Sequence, residues 1–410
     1  MAQPTARSPT PLALLVAHAW WSGTCGVEGA CTVTTSDVSV IVPTFNRAAL
    51  LGQTIDSLLR QTTPARQIIV VDDGSTDETA AVVSRYRGSV QYIYRPNGGK
   101  PAALNTGLTH VTGEYTWILD DDDVACPDAL ERLAAALDQN LDCGFSYGTA
   151  YITAPTPIES LEMGQVVGES RAPDTEQTGF LVALLEGNFL GGARILVRTS
   201  CYHQLGGYDE RFLRSEDYAM PIRLGRRWPA ARVSGGPLFL IRNHSGMRGT
   251  ASDRFDPSDD LAKFYHYDAL LFDELFDSMT LDEFIPPGQD PDVEYRQAHL
   301  QRFSLSVIHR VHTRLSEMID VLGQCDGAPY NDAERAVIDR LVARIPGLWT
   351  PPSLNLVEQI RRRAATPGVS RLRHELARAA LRRRLTPPIS PRALVGTSRR
   401  TVRMYSRYAP

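Results

Sequence analysis

The sequence predicts an α/β protein: a Rossmann-like, mostly parallel sheet with flanking helices, followed by a mainly α-helical C-terminal region. Three observations carry this. Between Val38 and Leu119, short apolar β-branched runs alternate with stretches of helical periodicity. Acidic clusters directly follow two of those runs, where ligands sit in parallel α/β sheets. Beyond Asp253 the strand-like runs cease, and apolar residues recur at three- and four-residue steps.

Residues 38–42 (VSVIV) are nearly continuous in apolar β-branched side chains, the pattern of a strand covered on both faces. The loop Pro43-Thr44-Phe45-Asn46-Arg47 leads into a helix over 48–61, with Leu50, Leu51, Ile55, Leu58 and Leu59 at helical spacing. A second covered strand, 67–71, ends in Asp72-Asp73-Gly74-Ser75. A helix over 77–86, a strand near 90–94, a helix over 101–110 and a strand over 115–119 follow. Residues 258–284 read as helical and rich in aromatic residues. Over 292–322, Phe303, Val307, Ile308, Val311, Leu315, Met318, Ile319 and Leu322 predict one long amphipathic helix. Its stripe is expected to pack on the first domain or to pair in a homodimer. The expected domains are therefore 37–252 and 253–410. Residues 1–36 read as an extension that is disordered or precedes the true start, because the apolar run 11–21 lacks the flanks of a signal peptide.

Composition narrows the class. A chain of 410 residues suits about two domains of 100–200 residues each. A hydrophobic fraction of 43% against 22% charged excludes a disordered chain or a disulfide-stapled mini-protein. No window approaches 18 consecutive apolar residues, so no transmembrane helix is written here. Six cysteines without CxxC or CxxH spacing argue against a metal cluster and for a reducing cytoplasm. The net charge of −4 conceals an asymmetry: residues 351–410 hold 14 arginines against Glu358 and Glu375, which leaves the first 350 residues at −16. Within that tail, Leu372, Leu376, Leu381 and Leu385 lie among Arg361–Arg363, Arg371, Arg373, Arg378 and Arg382–Arg384. Such a basic amphipathic helix docks on the acidic body, faces water, or rests peripherally on the inner face of an anionic membrane. No base-reading module accompanies the charge, so no nucleic-acid partner is expected.

The chemistry is concentrated in carboxylates. Asp120–Asp123 follow the apolar run 115–119, and four adjacent carboxylates at a strand end repel one another unless a cation compensates. Hard oxygen ligands of this kind suit Mg²⁺ or Mn²⁺ bridging a diphosphate; a solvated acidic turn is the plainer alternative. Asp72 and Asp73 equally fit ordinary turn chemistry. Their placement at two strand ends of one sheet makes the pair of clusters informative.

Seven blocks occur in an order that resembles family 2 glycosyltransferases of the GT-A fold. They are 38–47 (VSVIVPTFNR), 70–77 (VVDDGSTD), 97–107 (NGGKPAALNTG), 113–123 ending in the four aspartates, Gly206-Gly207-Tyr208-Asp209-Glu210, Ser215-Glu216-Asp217 and Arg242-Asn243-His244. The resemblance covers about 38–250. It implies a nucleotide-sugar donor, usually a UDP-sugar, a divalent metal (Mn²⁺ or Mg²⁺), and inversion at the anomeric carbon during transfer to an acceptor hydroxyl.

By the same resemblance, Pro43, Thr44 and Phe45, followed by Arg47, form the wall for the base, and Asp73 accepts the uracil N3–H. Asp122 binds the metal directly, while Asp120 or Asp121 holds the ribose or a metal-bound water; four consecutive aspartates leave the register open by one. His244 completes the metal site or is structural. Lys100 and Asn105 lie in the donor-binding block, where Lys100 touches the diphosphate or sugar or is a solvated loop residue. Gly192, within Asn188–Ala193, shapes the donor-sugar pocket or serves a tight turn. Asp217 occupies the base position at the start of a helix, where the N-terminus favours its ionised form, and Glu216 is the alternative base or a positioning group. Two other readings stand beside this one: a polyprenyl-phosphate sugar synthase, and a nucleotide-sugar-binding or scaffold protein without turnover.

Overall fold

The computed structural model describes residues 36–153, 166–170, 172–173, 175–176, 178–191, 194–242, 248–249, 254–255, 260–286, 291–344, 360, 362 and 365–382. The expectations for residues 1–35, Gly192, His244 and the tail beyond 382 lie outside them. The chain divides into two compact units, one of Met1–Pro173 with Asn188–Lys263 and one of Asp174–Gly187 with Phe264–Pro410. The division thus falls some ten residues later than the expected 252/253, and the short segment 174–187 belongs with the helical unit rather than with the first domain.

The first unit is built on strands β1 (Ser36–Thr44), β2 (Ala65–Asp72), β3 (Gln91–Tyr94), β4 (Tyr115–Ile118), β5 (Val124–Ala125), β6 (Phe145–Tyr147), β7 (Ala150–Thr153), β8 (Val166–Ser170), β9 (Ile195–Arg198), β10 (Ala230–Arg232) and β11 (Phe239–Ile241). Seven of them form one sheet in the order β10-β6-β9-β4-β1-β2-β3, and β5-β11-β7-β8 form a second. In the large sheet β9 alone runs antiparallel, against both β4 and β6; the other neighbours are parallel. The expected mixed α/β class with a mostly parallel sheet is therefore present. Each predicted strand up to Leu119 forms, and Val38, Val40, Ile41, Val42, Ile69, Val70 and Val71 are fully buried, as strands covered on both faces require. Trp117 and Phe239, both wholly buried, bring the two sheets' side chains into contact at 5.6 Å between ring centroids.

Helices α1 (Ala48–Leu59), α2 (Thr79–Ser84), α3 (Lys100–Leu108) and α4 (Ala129–Asp138) connect these strands. Leu50, Leu51, Ile55 and Leu58 are buried as the spacing predicts, but Leu59 is 44% exposed because the helix ends there. One edge of the buried face of α1, continued by Gln61 just beyond it, is polar, and it stitches the strand end that carries the aspartates. The Thr54 hydroxyl reaches the carbonyls of Asp121 and Asp123 at 3.0 and 2.8 Å. Ser57 Oγ accepts from the Ala125 amide, and Gln61 donates to the Cys126 carbonyl while accepting from the Leu130 amide. These bonds satisfy backbone groups that the Asp120–Asp123 turn would otherwise leave orphaned.

The second unit comprises α5 (Phe180–Glu186) with α8 (Asp260–Ser278), a 3₁₀ turn (Leu281–Phe284), α9 (Pro291–Ile308), α10 (His312–Gln324), α11 (Asp332–Arg344) and α12 (Pro367–Arg382); α6 (Thr199–Leu205) and α7 (Glu216–Gly225) belong to the first. The single helix expected over 292–322 is two. Arg310 takes a left-handed φ of 58°, and the Val311 amide reaches back to the Ser306 carbonyl at 2.9 Å, which closes α9 before α10 begins. The apolar stripe nevertheless persists across the break: all eight of its residues are buried. Seven of them join a core with Ile338 and Leu341 of α11 and Leu372 and Leu376 of α12. The stripe therefore builds this unit's own core, and neither the first domain nor a homodimer is needed to cover it.

Val369, Leu372, Leu376 and Ala379 of α12, the described part of the basic helix's apolar face, are buried in that same core. Two of the helix's arginines flank the buried Glu375, with Arg371 at 3.6 Å and Arg378 at 3.5 Å. The close fit at its start is testable. A Cβ on Gly368 would lie 1.9 Å from the Leu322 carbonyl oxygen, so Gly368→Ala is expected to cost about 1–3 kcal/mol or more of unfolding free energy, read from denaturant melts.

Candidate active site

The large sheet reverses its winding between β1 and β4: β2 and β3 lie on one side of β1, β4 and β9 on the other. Such a switch point leaves a gap at the carboxyl ends of the parallel strands, which is where the polar residues of this chain collect. Thr44 at the end of β1 is level with Asp72 at the end of β2, and Ile41 pairs with Ile118 just before the aspartates.

The loops after β1 and β2 are tied together. Asn46, at a left-handed φ of 53°, accepts from the amides of Thr76 and Asp77, while Asp77 accepts from the Ala48 amide at the start of α1. Asp72 caps its own turn, accepting from the Ser75 amide at 2.7 Å and the Tyr92 hydroxyl at 2.6 Å. Gly74 makes that turn possible, with φ 86° and the Asn97 amide 2.8 Å from where a Cβ would stand. Pro43 and Thr44 are buried, and Phe45 and Arg47 are half-buried at the loop.

Asp73 is differently employed from what the resemblance implies. Its carboxylate, 3% exposed, already accepts from the Arg95 guanidinium, from Asn97 Nδ2 at 3.0 Å, and from the amides of Gly98 and Gly99 at 3.1 and 2.7 Å. Burial outweighs these donors and raises its pKa above the usual carboxylate range. In this conformation Asp73 latches the loop that leads into α3. Asn105 likewise serves the fold: its amide accepts from the Tyr208 amide at 2.8 Å and donates to the Tyr208 carbonyl and Glu210.

The four aspartates do not act alike. Carboxylate oxygens of Asp120, Asp122 and Asp123 lie within 4.8 Å of one another, a set of hard ligands compact enough for one divalent cation. Asp121 turns away and is opposed by the Thr44 hydroxyl and Arg47; burial, then repulsion from Asp122, push it up to about 7. Asp123, buried, is raised well above the usual range by desolvation and by Asp122 and Asp120, and it accepts from the Arg242 amide at 3.3 Å. Carboxylates raised by one another in this way are what a bound cation would relieve, so the residues fit the metal. Asp123 and Arg242 were not expected in this role. The Arg242 side chain is 5% exposed, faces Asp122, Asp123 and Asp121 electrostatically, and donates to Gln53 at 2.6 Å. Only a register of four identical residues hid Asp123.

Lys100, the first residue of α3, joins the aspartates to the expected base. Its ammonium lies 2.7 Å from Asp120 and 3.1 Å from Glu216. Burial alone would lower its pKa, but Asp120, Glu216 and Asp217 hold it well above the usual lysine value. Asp217 follows Glu216 in the first turn of α7, entered through Ser215 at a left-handed φ of 61°, a strained conformation for a residue with a Cβ. Burial, then the Glu216 charge, push Asp217 up to about 7.

The α7 backbone carries a second device. Pro221 sits four residues after Asp217 and has no N–H for its carbonyl. Asn188 Nδ2 reaches that carbonyl at 3.3 Å instead, while its own side-chain oxygen accepts from the amides of Leu190 and Gly191. The Asn188–Gly191 loop is thereby tied to the residue that would act as base. A proline four positions beyond a candidate base was the signal in the sequence. Arg194, with Asp123 and Asp217 as its electrostatic partners, donates to Ser170 and to the Phe189 carbonyl.

Residues 39–180 match the family model described as glycosyl transferase family 2. An uncharacterised glycosyltransferase of Rickettsia prowazekii is 32% identical over 191 residues, 46% of this chain and 58% of that protein. A second, from Rickettsia conorii, is 32% identical over 196 residues, 47% of this chain and 32% of that protein. The chondroitin synthase of Pasteurella multocida is 27% identical over 192 residues, 46% of this chain but 18% of that enzyme. The chain thus spans between about a third and three-fifths of the length of the Rickettsia relatives. Among solved structures, Staphylococcus aureus TarS 1–349 with UDP-GlcNAc superposes with a TM-score of 0.48 at 18% identity, covering 85% of this chain and 93% of that one, below the level at which function transfers. On the family match and these relatives, residues 39–180 are similar to the glycosyl transferase family 2 domain.

Proposed function

We propose that this protein transfers a sugar from a nucleoside-diphosphate sugar, with a UDP-sugar the first donor to try, to an acceptor hydroxyl with inversion at the anomeric carbon. The observation that carries the reading is the convergence of Asp120, Asp122 and Asp123 at the sheet's switch point, joined through Lys100 to Glu216 and Asp217. A divalent cation, Mn²⁺ or Mg²⁺, held there would neutralise charge on the departing diphosphate. Asp217 takes the proton of the acceptor hydroxyl; its raised pKa suits a base that must accept a proton near neutrality. Glu216 and Lys100 orient it, and the Thr44–Phe45 loop forms one wall for the base of the nucleotide. For Asp73 to read uracil, the 95–99 loop would have to give up one of its donors, so base recognition through Asp73 is coupled to movement of that loop. His244 and Gly192 are retained as proposed metal-site and sugar-pocket residues.

Asp217 favours a hydroxyl acceptor over a phosphate acceptor, which would need no strong base. No described helix is long and apolar enough to cross a membrane. The test is UDP release by purified protein over a panel of UDP-sugars and hydroxyl acceptors, with Mn²⁺ and then with EDTA. Release with one donor, abolished by EDTA and restored by Mn²⁺, is expected. Saturable nucleotide binding without release on any acceptor would favour the non-catalytic reading, and no nucleotide binding would sink the donor assignment.

A further inference from the structure

Lys100 stands where it has no need to be if its task is only to meet a donor. Its ammonium is already within ion-pair distance of two carboxylates, Asp120 Oδ1 at 2.7 Å and Glu216 Oε1 at 3.1 Å. Asp120 is also one of the three aspartates whose oxygens lie close enough to share a cation. The same carboxylate is therefore claimed from two sides. A lone pair engaged by an ammonium at ion-pair distance is less available to a metal, and two cations sharing one carboxylate repel each other.

We propose that Lys100 is an internal counter-cation that competes with the divalent metal for Asp120, so that cation binding and the Lys100–Asp120 ion pair exclude one another. This rests on the metal reading above and deepens it. Without the divalent ion, the ammonium holds the acidic turn together against its own repulsion. When the ion takes Asp120, Lys100 keeps Glu216 as its remaining anchor and stays beside Asp217. The arrangement links loading of the metal side to the environment of the base through a single side chain, because Glu216 and Asp217 are adjacent in the first turn of α7.

The sequence offers an unusually clean probe, since Lys100 and Lys263 are its only lysines. The full chain, free of nucleotide, is labelled with an amine-reactive ester with and without Mn²⁺, and the two peptides are followed by mass spectrometry. Release from Asp120 leaves the ammonium with one ion-pair partner in place of two, so Lys100 labelling is expected to rise several-fold with Mn²⁺ while Lys263 is unchanged. Lys100 labelling that stays constant or slows would overturn the proposal. In parallel, Mn²⁺ titration followed by electron paramagnetic resonance is expected to give Lys100→Met an affinity about tenfold tighter than wild type, with Lys100→Arg near wild type. Equal or weaker affinity in a folded Lys100→Met would also overturn it. If wild type and both variants bind no Mn²⁺, the metal reading itself fails and this inference with it; Mn²⁺ bound by wild type without either effect removes the inference alone.

Discussion

Asp217→Asn is expected to lower turnover by about 10²–10⁴-fold while leaving donor and Mn²⁺ binding within a few-fold of wild type. The amide keeps the size of the side chain and its place in the first turn of α7, and it removes only the ability to accept a proton. Single-turnover kinetics beside equilibrium donor binding separate the two quantities; a parallel loss of binding would mean that Asp217 holds the structure instead. The acid limb of the wild-type profile is a companion measurement. The base acts only when ionised, and burial together with Glu216 places its pKa at about 7, so kcat/KM should rise with pH through that value and the limb should vanish in the variant. Stability moves oppositely. An unfolded carboxyl titrates near about 3.9, so the folded state holds the extra proton between there and about 7, and the contribution is complete below the lower value and lost as pH rises through the upper one.

The second large effect is on the cation. Asp122→Asn should weaken Mn²⁺ binding by at least about 100-fold, since altering groups that merely orient ligands already costs 10–100-fold. Asp72→Asn is the informative control. It is also an aspartate at a strand end, but its oxygens are engaged by Ser75 and Tyr92, so it should lower stability and spare Mn²⁺ affinity. Isothermal titration of both variants decides this, and equal losses would show that the acidic turn is held by overall charge and has no defined ligand set.

The elements before Leu119 were legible because buried parallel strands write themselves as unbroken β-branched runs, and the aspartates were legible because four carboxylates break abruptly into the apolar sequence on either side of them. What the Asp120–Asp123 run could not convey is direction. Alternate residues of a turn point to different sides, and four identical letters conceal that Asp121 faces Thr44 and Arg47 while Asp123 joins Asp120 and Asp122. Lys100 was visible as a rare residue, but its partners come from segments twenty and more than a hundred positions away. The division of 292–322 was missed for a related reason: an apolar stripe survives a break when the two helices bury into one core, and nothing in periodicity betrays the left-handed Arg310. Asp73 and Asn105 show the converse. Their positions in the motif blocks were plain, while their occupation by Arg95, Gly99 and Tyr208 depends on contacts that only folding creates.

The segment 174–187 has a consequence for how the chain matures. Glu186 is buried and finds its partners in Gln301 at 3.0 Å and Arg340 at 2.7 Å, which lie 115 and 154 positions further along. On a ribosome moving at about 5–20 residues per second, helix α5 would wait on the order of ten seconds for the first of them. During that interval Leu184, Leu185 and an unpaired carboxylate stand in the open within a chain whose flanks are already forming the large sheet. No single cut releases either unit whole: a truncation after Lys263 would keep α5 but remove Gln301 and Arg340, the partners of Glu186. The helical unit is thus no detachable appendage, and nascent-chain aggregation, relieved by supplying residues 264–410 in trans, is the signature that this interleaving leaves behind.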